Sequence, residues 1–471
     1  MGTRSSPNDP PSSGGESEDC LNLDVYAPCD VTANSKLPVY VFIAGGGFNM
    51  AYPTQNGSSL VQASNGKIIV VSINYRVSAY GFLASSEVMR GGSLNNGLKD
   101  QRMALHWVHD HIASFGGDPG HVVIGGASAG AGSVTLQLAA YNGRNDNLFH
   151  GSIAESQSFG ALRTVDESQY QYDALVKRTN CANNKDTLSC LRALDITALQ
   201  TQNIIDHFPN TNTTAQPLFA YNPTLDRDFI ADYTLNLFDS GRFVKLPTIY
   251  GDVSNEGTVF IPHSAGMSAD ASNAWLQAQF PELNETQLST IQALYPPEPQ
   301  AHAQSNSGKY WSSTAAAYGD LRYVCPGFDL NNRTAQYVTK NPTAGNWNYH
   351  YNVSDPGQIA AGLGVPHVAE QSAIWASPVP ESNKGTNAPI IPLMQGYWIS
   401  FIRAYNPNVY RVQGAPAWDD WGKNDGSGGN RLLVQNPGPN GDIGTTKMET
   451  VDAEARGRCA QLLQWGVAIK Q

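Results

Sequence analysis

Two short runs of the chain, VYVFI at 39–43 and KIIVVSI at 67–73, are apolar at nearly every position. A strand half exposed to water alternates apolar with polar, so near-continuous runs predict strands buried on both faces of a sheet. Further β-rich segments fall at 21–26, 121–125 and 247–251, and 346–353 alternates as a strand does. Between the early strands the period changes to that of a helix. Over 97–115 the residues Leu98, Met103, Leu105, Trp107, Val108 and Ile112 supply an apolar stripe, and another helix is expected over 129–140. Helical texture also marks 269–295, 311–318, 391–404 and 451–465, while 164–243 is helical and loop-like.

Strand and helix in alternation imply right-handed crossovers and a mostly parallel central sheet with helices on both faces, here carrying long helical insertions. Residues 1–17 are Ser, Pro, Gly and Asn with almost no apolar content, and are expected to form a disordered leader. No internal repeat and no Pro/Gly linker between two complete cores is visible, so 18–471 is expected to be a single catalytic domain. The Gly- and Asn-rich stretch 422–430 is expected to be a surface loop.

Charged residues make up only 15% of the chain, and the net charge is −11. That balance argues against nucleic acid or anionic lipid as partner, because like charges repel where counterion release would otherwise drive binding. No run approaches the length of apolar residues that spans a bilayer. None of the six cysteines (Cys20, Cys29, Cys181, Cys190, Cys325 and Cys459) lies in a C-x-x-C pair. Glycosylation sequons stand at Asn56, Asn212, Asn284, Asn332 and Asn352. With the low charge and the possibility of disulfides, they favour a secreted protein. Met1 is followed by no apolar signal segment, so the expectation is a chain whose natural front end is missing. His106, His109 and His111 cluster on one helix, but His111 is turned away from the other two and no carboxylate or cysteine is spaced to complete a site, so no metal is expected.

The strongest chemical signal is Gly126-Ala127-Ser128-Ala129-Gly130, which follows the strand HVVIG and opens a helix. This is the G-x-S-x-G nucleophile elbow in the context that the α/β-hydrolase fold demands. A serine needs a base, and the attacked carbonyl needs donors for its oxyanion. The amide of Ala129 is the first donor, and Ala44-Gly45-Gly46-Gly47-Phe48 follows VYVFI where further backbone donors belong. In this fold the acid follows the nucleophile and the histidine comes last. His350 falls mid-strand, where it packs, whereas His367 lies in the loop GLGVPHVAE. The segment PTIYGDVSNEG carries two candidate acids, Asp252 and Glu256.

The segments SEDCLNLDVYAP, GGGF, NYR, GFL, NNGLKDQRMAL, FGGDPGHVVIGGASAGAGSV, GDVSNEG and GVPH together resemble the type-B carboxylesterase/lipase family. That family includes cholinesterases and fungal lipases, and the resemblance runs from Glu18 to the RCAQLLQW tail. It implies a serine carboxylic-ester hydrolase with a Ser128–His367–Glu256 triad, which decides for Glu256 over Asp252. It assigns the oxyanion donors to Gly46, Gly47 and Ala129, implies a Cys181–Cys190 disulfide, and brings in no cofactor. The expected partner is a small-molecule or lipid ester, and oligomeric state is left open. A lipase on long-chain acylglycerols or sterol esters is the alternative, and a non-catalytic binding module, also found in this family, the more distant one. The family has a longer segment before EDCL, with a cysteine that pairs with the one at Cys20 and closes a lid loop. Cys20 is therefore expected as a free thiol. It is not expected to bond Cys29, because the strand at 21–26 holds the two apart. Where many members have His before the three glycines this chain has Ala44, which leaves the amide donors intact.

Overall fold

In the computed structural model, which describes residues 2–4, 17–50, 55–209, 215–297, 307–338, 345–376, 384–422 and 429–471, the apolar runs are strands at the centre of one sheet. Among the described residues that sheet has nine strands: β1 (Leu23–Tyr26), β2 (Leu37–Ile43), β3 (Ile69–Ile73), β4 (Gly117–Ala127), β5 (Gly151–Glu155), β6 (Thr248–Val253), β7 (Asn346–Asn352), β8 (Asn430–Gln435) and β9 (Lys447–Thr450). Their spatial order is β1-β3-β2-β4-β5-β6-β7-β8-β9. Neighbours from β3 through β8 run parallel, and the edge strands β1 and β9 are antiparallel. The class is α/β hydrolase, with the mostly parallel sheet that the alternation of elements implies.

The pleat sorts β2 into two cores. Val39, Val41 and Ile43 pack on one side with Leu98, Leu105 and Val108 of the helix Asn96–His111. Tyr40 and Phe42 face the other side, against Trp375 and the helix Ile390–Ala404. Burial on both faces is why these strands read as unbroken apolar runs. The helix Ala129–Gly143 is buried on all sides as far as Ala140, which explains its small residues. The insertions after β5 and β6 supply further helices, among them Val165–Arg178, Ala269–Gln279, Glu285–Leu294, Trp311–Gly319 and Cys325–Val338. The expected helical stretch 269–295 is broken at 280–284, where Pro281 cannot donate and Asn284 caps the next helix.

Within the expected leader 1–17, residues 2–4 are held against the domain. The Thr3 amide donates to the Asn49 carbonyl at 2.8 Å, and Arg4 bridges to Ile204. Backbone pairing, which sequence polarity does not reveal, orders this stretch; residues 1 and 5–16 lie outside the described residues.

Cys181 and Cys190 are bonded, with α-carbons 5.7 Å apart, and Cys20 and Cys29 are free. A second disulfide, Cys325–Cys459, ties the helix Cys325–Val338 to the helix Ala453–Leu463 across a separation of 134 residues. Of the sequons, Asn56, Asn284 and Asn332 are exposed, Asn352 is half-buried, and Asn212 lies outside the described residues.

The two disulfides close loops of very different length, 9 and 134 residues. Chain entropy then assigns roughly 2–3 kcal/mol to the first and about 5 kcal/mol to the second. Replacing Cys325 and Cys459 together by alanine is expected to lower the unfolding free energy more than the matching change at Cys181 and Cys190. Denaturant titrations compare them; equal losses would mean that loop closure does not set the difference.

Candidate active site

The carboxyl end of β4 turns into the helix Ala129–Gly143 within one residue, and Ser128 takes φ 57° and ψ −123° there. A non-glycine residue at positive φ is strained and persists only where its surroundings over-determine it. They do so here. A Cβ on Gly126 would lie 2.5 Å from the Gly130 backbone, and one on Gly130 would collide with the Ile43 carbonyl at the end of β2. The Ser128 amide donates to the Glu155 carbonyl at 2.9 Å, so β5 holds the turn from the other side.

The glycine loop after β2 runs alongside. A Cβ on Gly45 would lie 3.1 Å from Ser128 Cβ, so this loop touches the serine. Gly46 and Gly47 have φ of 109° and 60°, and Asn49 fixes the loop by donating from Nδ2 to the Gly47 and Tyr221 carbonyls, each at 2.6 Å. Among the described residues the amides of Gly46, Gly47 and Ala129 meet no hydrogen-bond acceptor. Unpaired amides beside a strained serine are the arrangement that receives a developing oxyanion.

Glu256 and His367 come together from loops after β6 and β7. His367 Nδ1 and Glu256 Oε2 are 2.5 Å apart, and Glu256 Oε1 accepts from the Val253 amide at 3.0 Å. Glu256 is only 2% exposed. Asn255 joins the two loops. Its amide donates to the Val365 carbonyl at 2.9 Å, and its Oδ1 accepts from the Val365 amide at 2.8 Å. The imidazole packs against Tyr323 and Phe260, with ring centroids 4.5 and 5.1 Å away. Its Nε2 is buried with no hydrogen-bond partner, so Ser128 Oγ is not bonded to it in this arrangement. The Val368 amide donates to Ser156 Oγ at 3.4 Å, which ties the histidine loop to the end of β5 that also holds the elbow.

Asp252 is placed elsewhere. It lies 3.4 Å from the Arg431 guanidinium, and burial pushes its carboxyl up to about 7. His350 sits within β7, with Glu449 at 2.9 Å and the Ser254 hydroxyl at 2.8 Å. The side chains of His106, His109 and His111 are exposed, and no group of three metal-binding side chains gathers among the described residues. A cavity of about 480 Å³ lies behind Glu256, lined among others by Tyr295, Trp311, Asp320 and Arg458; neither Ser128 nor His367 borders it. No helix among the described residues is long and apolar enough to cross a membrane.

Sequence reasoning missed β5, whose GSIAE is short and small, and with it Glu155. The Glu155 carboxyl is fully buried and accepts from Gln371 Nε2 at 2.9 Å and Trp398 Nε1 at 3.1 Å. Burial raises it to about 7.

This chain belongs to the carboxylesterase family, which it matches over residues 2–433, and carboxylic ester hydrolysis is the chemistry of the class. It is 31% identical to secreted lipase 4 of Gibberella zeae over 88% of this chain and 74% of that protein. It is 39% identical to lipase 2 of Geotrichum candidum, over 59% and 52% of the two chains. With secreted lipase 1 of Botryotinia fuckeliana it shares 34% identity, over 83% and 69%. The matches to these three thus span between 52% and 74% of their lengths. The crystal structure of Aspergillus niger EstA superposes with a TM-score of 0.92 at 37% identity, covering 100% of this chain and 88% of that one.

Two expected outcomes follow from this geometry. Asn255→Ala should leave the fold intact yet lower turnover roughly a hundredfold, since a misplacement of about 1 Å at a catalytic group has that effect; unchanged turnover with an unchanged melting curve would remove Asn255 from the positioning of Glu256 and His367. The second concerns pH. With its carboxyl raised in the folded state, Glu155 binds its proton more tightly there than in the unfolded chain. Its contribution to stability is therefore complete below the ordinary carboxylate range and is lost as pH rises through about 7. Urea unfolding of Glu155→Gln between pH 5 and 8 should show a shallower decline than the wild type; parallel declines would contradict a buried carboxyl.

Proposed function

We propose that Ser128 is the nucleophile of this hydrolase, His367 its base and Glu256 the acid that orients and stabilises the imidazolium. Residues 18–471 would act as one catalytic domain. The observation that carries the reading is the 2.5 Å contact between His367 Nδ1 and Glu256 Oε2, which leaves the buried Nε2 as the ring's available nitrogen. Ser128 attacks the ester carbonyl while Nε2 takes its proton, and the amides of Gly46, Gly47 and Ala129 receive the oxyanion. His367 then returns that proton to the leaving alcohol. Water, activated by the same nitrogen, releases the acid from the acyl-enzyme. The chemistry draws on no metal or cofactor.

The natural substrate is a carboxylic ester, and an esterase on soluble esters is the first reading. A lipase acting on long-chain acylglycerols or sterol esters is the second, favoured by the names of the fungal relatives, several of which are called lipases. Hydrolysis of short- and long-chain esters with and without an emulsion interface separates the two. The secreted relatives, the disulfides and the exposed sequon asparagines support an extracellular location. A purely binding role does not account for a strained serine beside unpaired amides and a buried His–Glu pair.

Ser128→Ala is expected to abolish ester hydrolysis without changing the melting temperature. Glu256→Gln should lose on the order of 10⁴ in turnover, as removing the acid of a serine triad does, whereas Asp252→Asn should be far milder. The reverse ranking would transfer the acid to Asp252.

A further inference from the structure

Arg322 is an arginine with no acid. It is 4% exposed, and among the described residues no carboxylate pairs with it; its guanidinium lies over the Tyr323 ring, 5.9 Å from the centre. Its Nε and Nη2 are buried and meet no acceptor. A guanidinium keeps its charge in a protein, so removing it from water without an opposite charge beside it is unfavourable.

The chain holds Arg322 there by local structure. It sits on a π-helical turn, Asp320–Val324, between the helices Trp311–Gly319 and Cys325–Val338. Such wide turns concentrate at functional sites. Pro326 has no amide to return to the Arg322 carbonyl, and that carbonyl instead accepts from the Phe159 amide at 2.9 Å. Phe159 follows β5, whose last residue holds the Ser128 turn. The guanidinium is thereby fixed beside the catalytic machinery. Its Cζ lies 4.9 Å from the centre of the Phe219 ring, and that ring fills the space where Gly47 would carry a Cβ. The neighbouring Tyr323 packs on His367. Other unpartnered buried polar atoms belong to the same region: Gln157 Nε2 and Oε1, Ser158 Oγ and Asn222 Oδ1, the last next to Gly160, as is Arg322 Nη2.

We propose that Arg322 is a specificity determinant that reads a carboxylate carried by the ester substrate, so that the preferred substrate is an acidic ester, the monoester of a dicarboxylic acid or the ester of a hydroxy acid. The inference rests on the hydrolase reading above and narrows its substrate class. A carboxylate placed one aromatic ring from the oxyanion loop supplies the anion that the folded chain lacks, through charge-assisted hydrogen bonds to Nε and Nη2. A site built around unpaired donors also discriminates against an analogue that offers them nothing. The preference would run against the net charge of −11, which by itself repels anions.

The test compares monoethyl glutarate with ethyl 5-methylhexanoate, in which an isopropyl group replaces the carboxylate. A second pair, butyryl glycolate and isobutyl butyrate, moves the carboxylate to the alcohol side. Rates are normalised to alkaline hydrolysis and measured for wild type, Arg322→Met and Arg322→Lys. The wild type is expected to favour the acidic member of at least one pair by about tenfold or more in kcat/KM, expressed in KM. Arg322→Met should erase that preference, bringing the ratio within the responding pair to about one, and Arg322→Lys should keep part of it. The pair that shows the effect identifies the side on which the carboxylate sits. Should Arg322→Met fail to fold, competitive inhibition of neutral-ester hydrolysis by glutarate in the wild type, absent with 5-methylhexanol, supports the same conclusion. No acidic preference in either pair, while Ser128→Ala abolishes hydrolysis of the neutral esters, overturns the role of Arg322 and leaves the hydrolase reading standing. No hydrolysis of any ester overturns both.

Discussion

Everything at the site depends on three backbone segments meeting at the carboxyl edge of the sheet with almost no space between them. The end of β2, the turn after β4 and the end of β5 approach so closely that Gly126 and Gly130 have no room for a Cβ, and the Ser128 amide bonds across to Glu155. That contact holds Ser128 at a φ that serine otherwise avoids and presents its hydroxyl beside the glycine loop. The strain of such a conformation, of order 1–3 kcal/mol, is offset by the packed parallel strands on either side.

The rest of the constellation is hung from the same edge. Glu256 and His367 lie on loops leaving β6 and β7, joined to each other by Asn255 and to the end of β5 by Ser156. A parallel sheet brings the carboxyl ends of successive strands together, so residues separated by more than 100 positions converge without any local sequence relationship. The aromatic wall of Phe260 and Tyr323 then sets the position of the imidazole.

How much of this was legible in the sequence follows from how local each signal is. The elbow is a five-residue steric constraint, so its glycines announce it. The buried strands announce themselves as apolar runs, and the order of elements predicts the parallel sheet. Choosing Glu256 over Asp252 was not local: Asp252 lies in the strand β6 and Glu256 follows it in the same segment, and only the family resemblance separated them. The structure supplies the physical difference, since Asp252 is occupied by Arg431 and Glu256 by His367. The Cys325–Cys459 bond and the residues 2–4 held against the domain are long-range facts that no spacing encodes. Arg322 was invisible for the opposite reason, because an arginine in a charged-looking turn reads as solvated until its burial is seen.

The most direct test of the central claim is covalent. Incubation with a fluorophosphonate ester followed by peptide mass mapping should give one adduct per chain, on Ser128, with loss of ester hydrolysis in proportion to labelling. Label on any other residue, or hydrolysis that survives full modification of Ser128, would contradict the assignment of the elbow as the seat of catalysis.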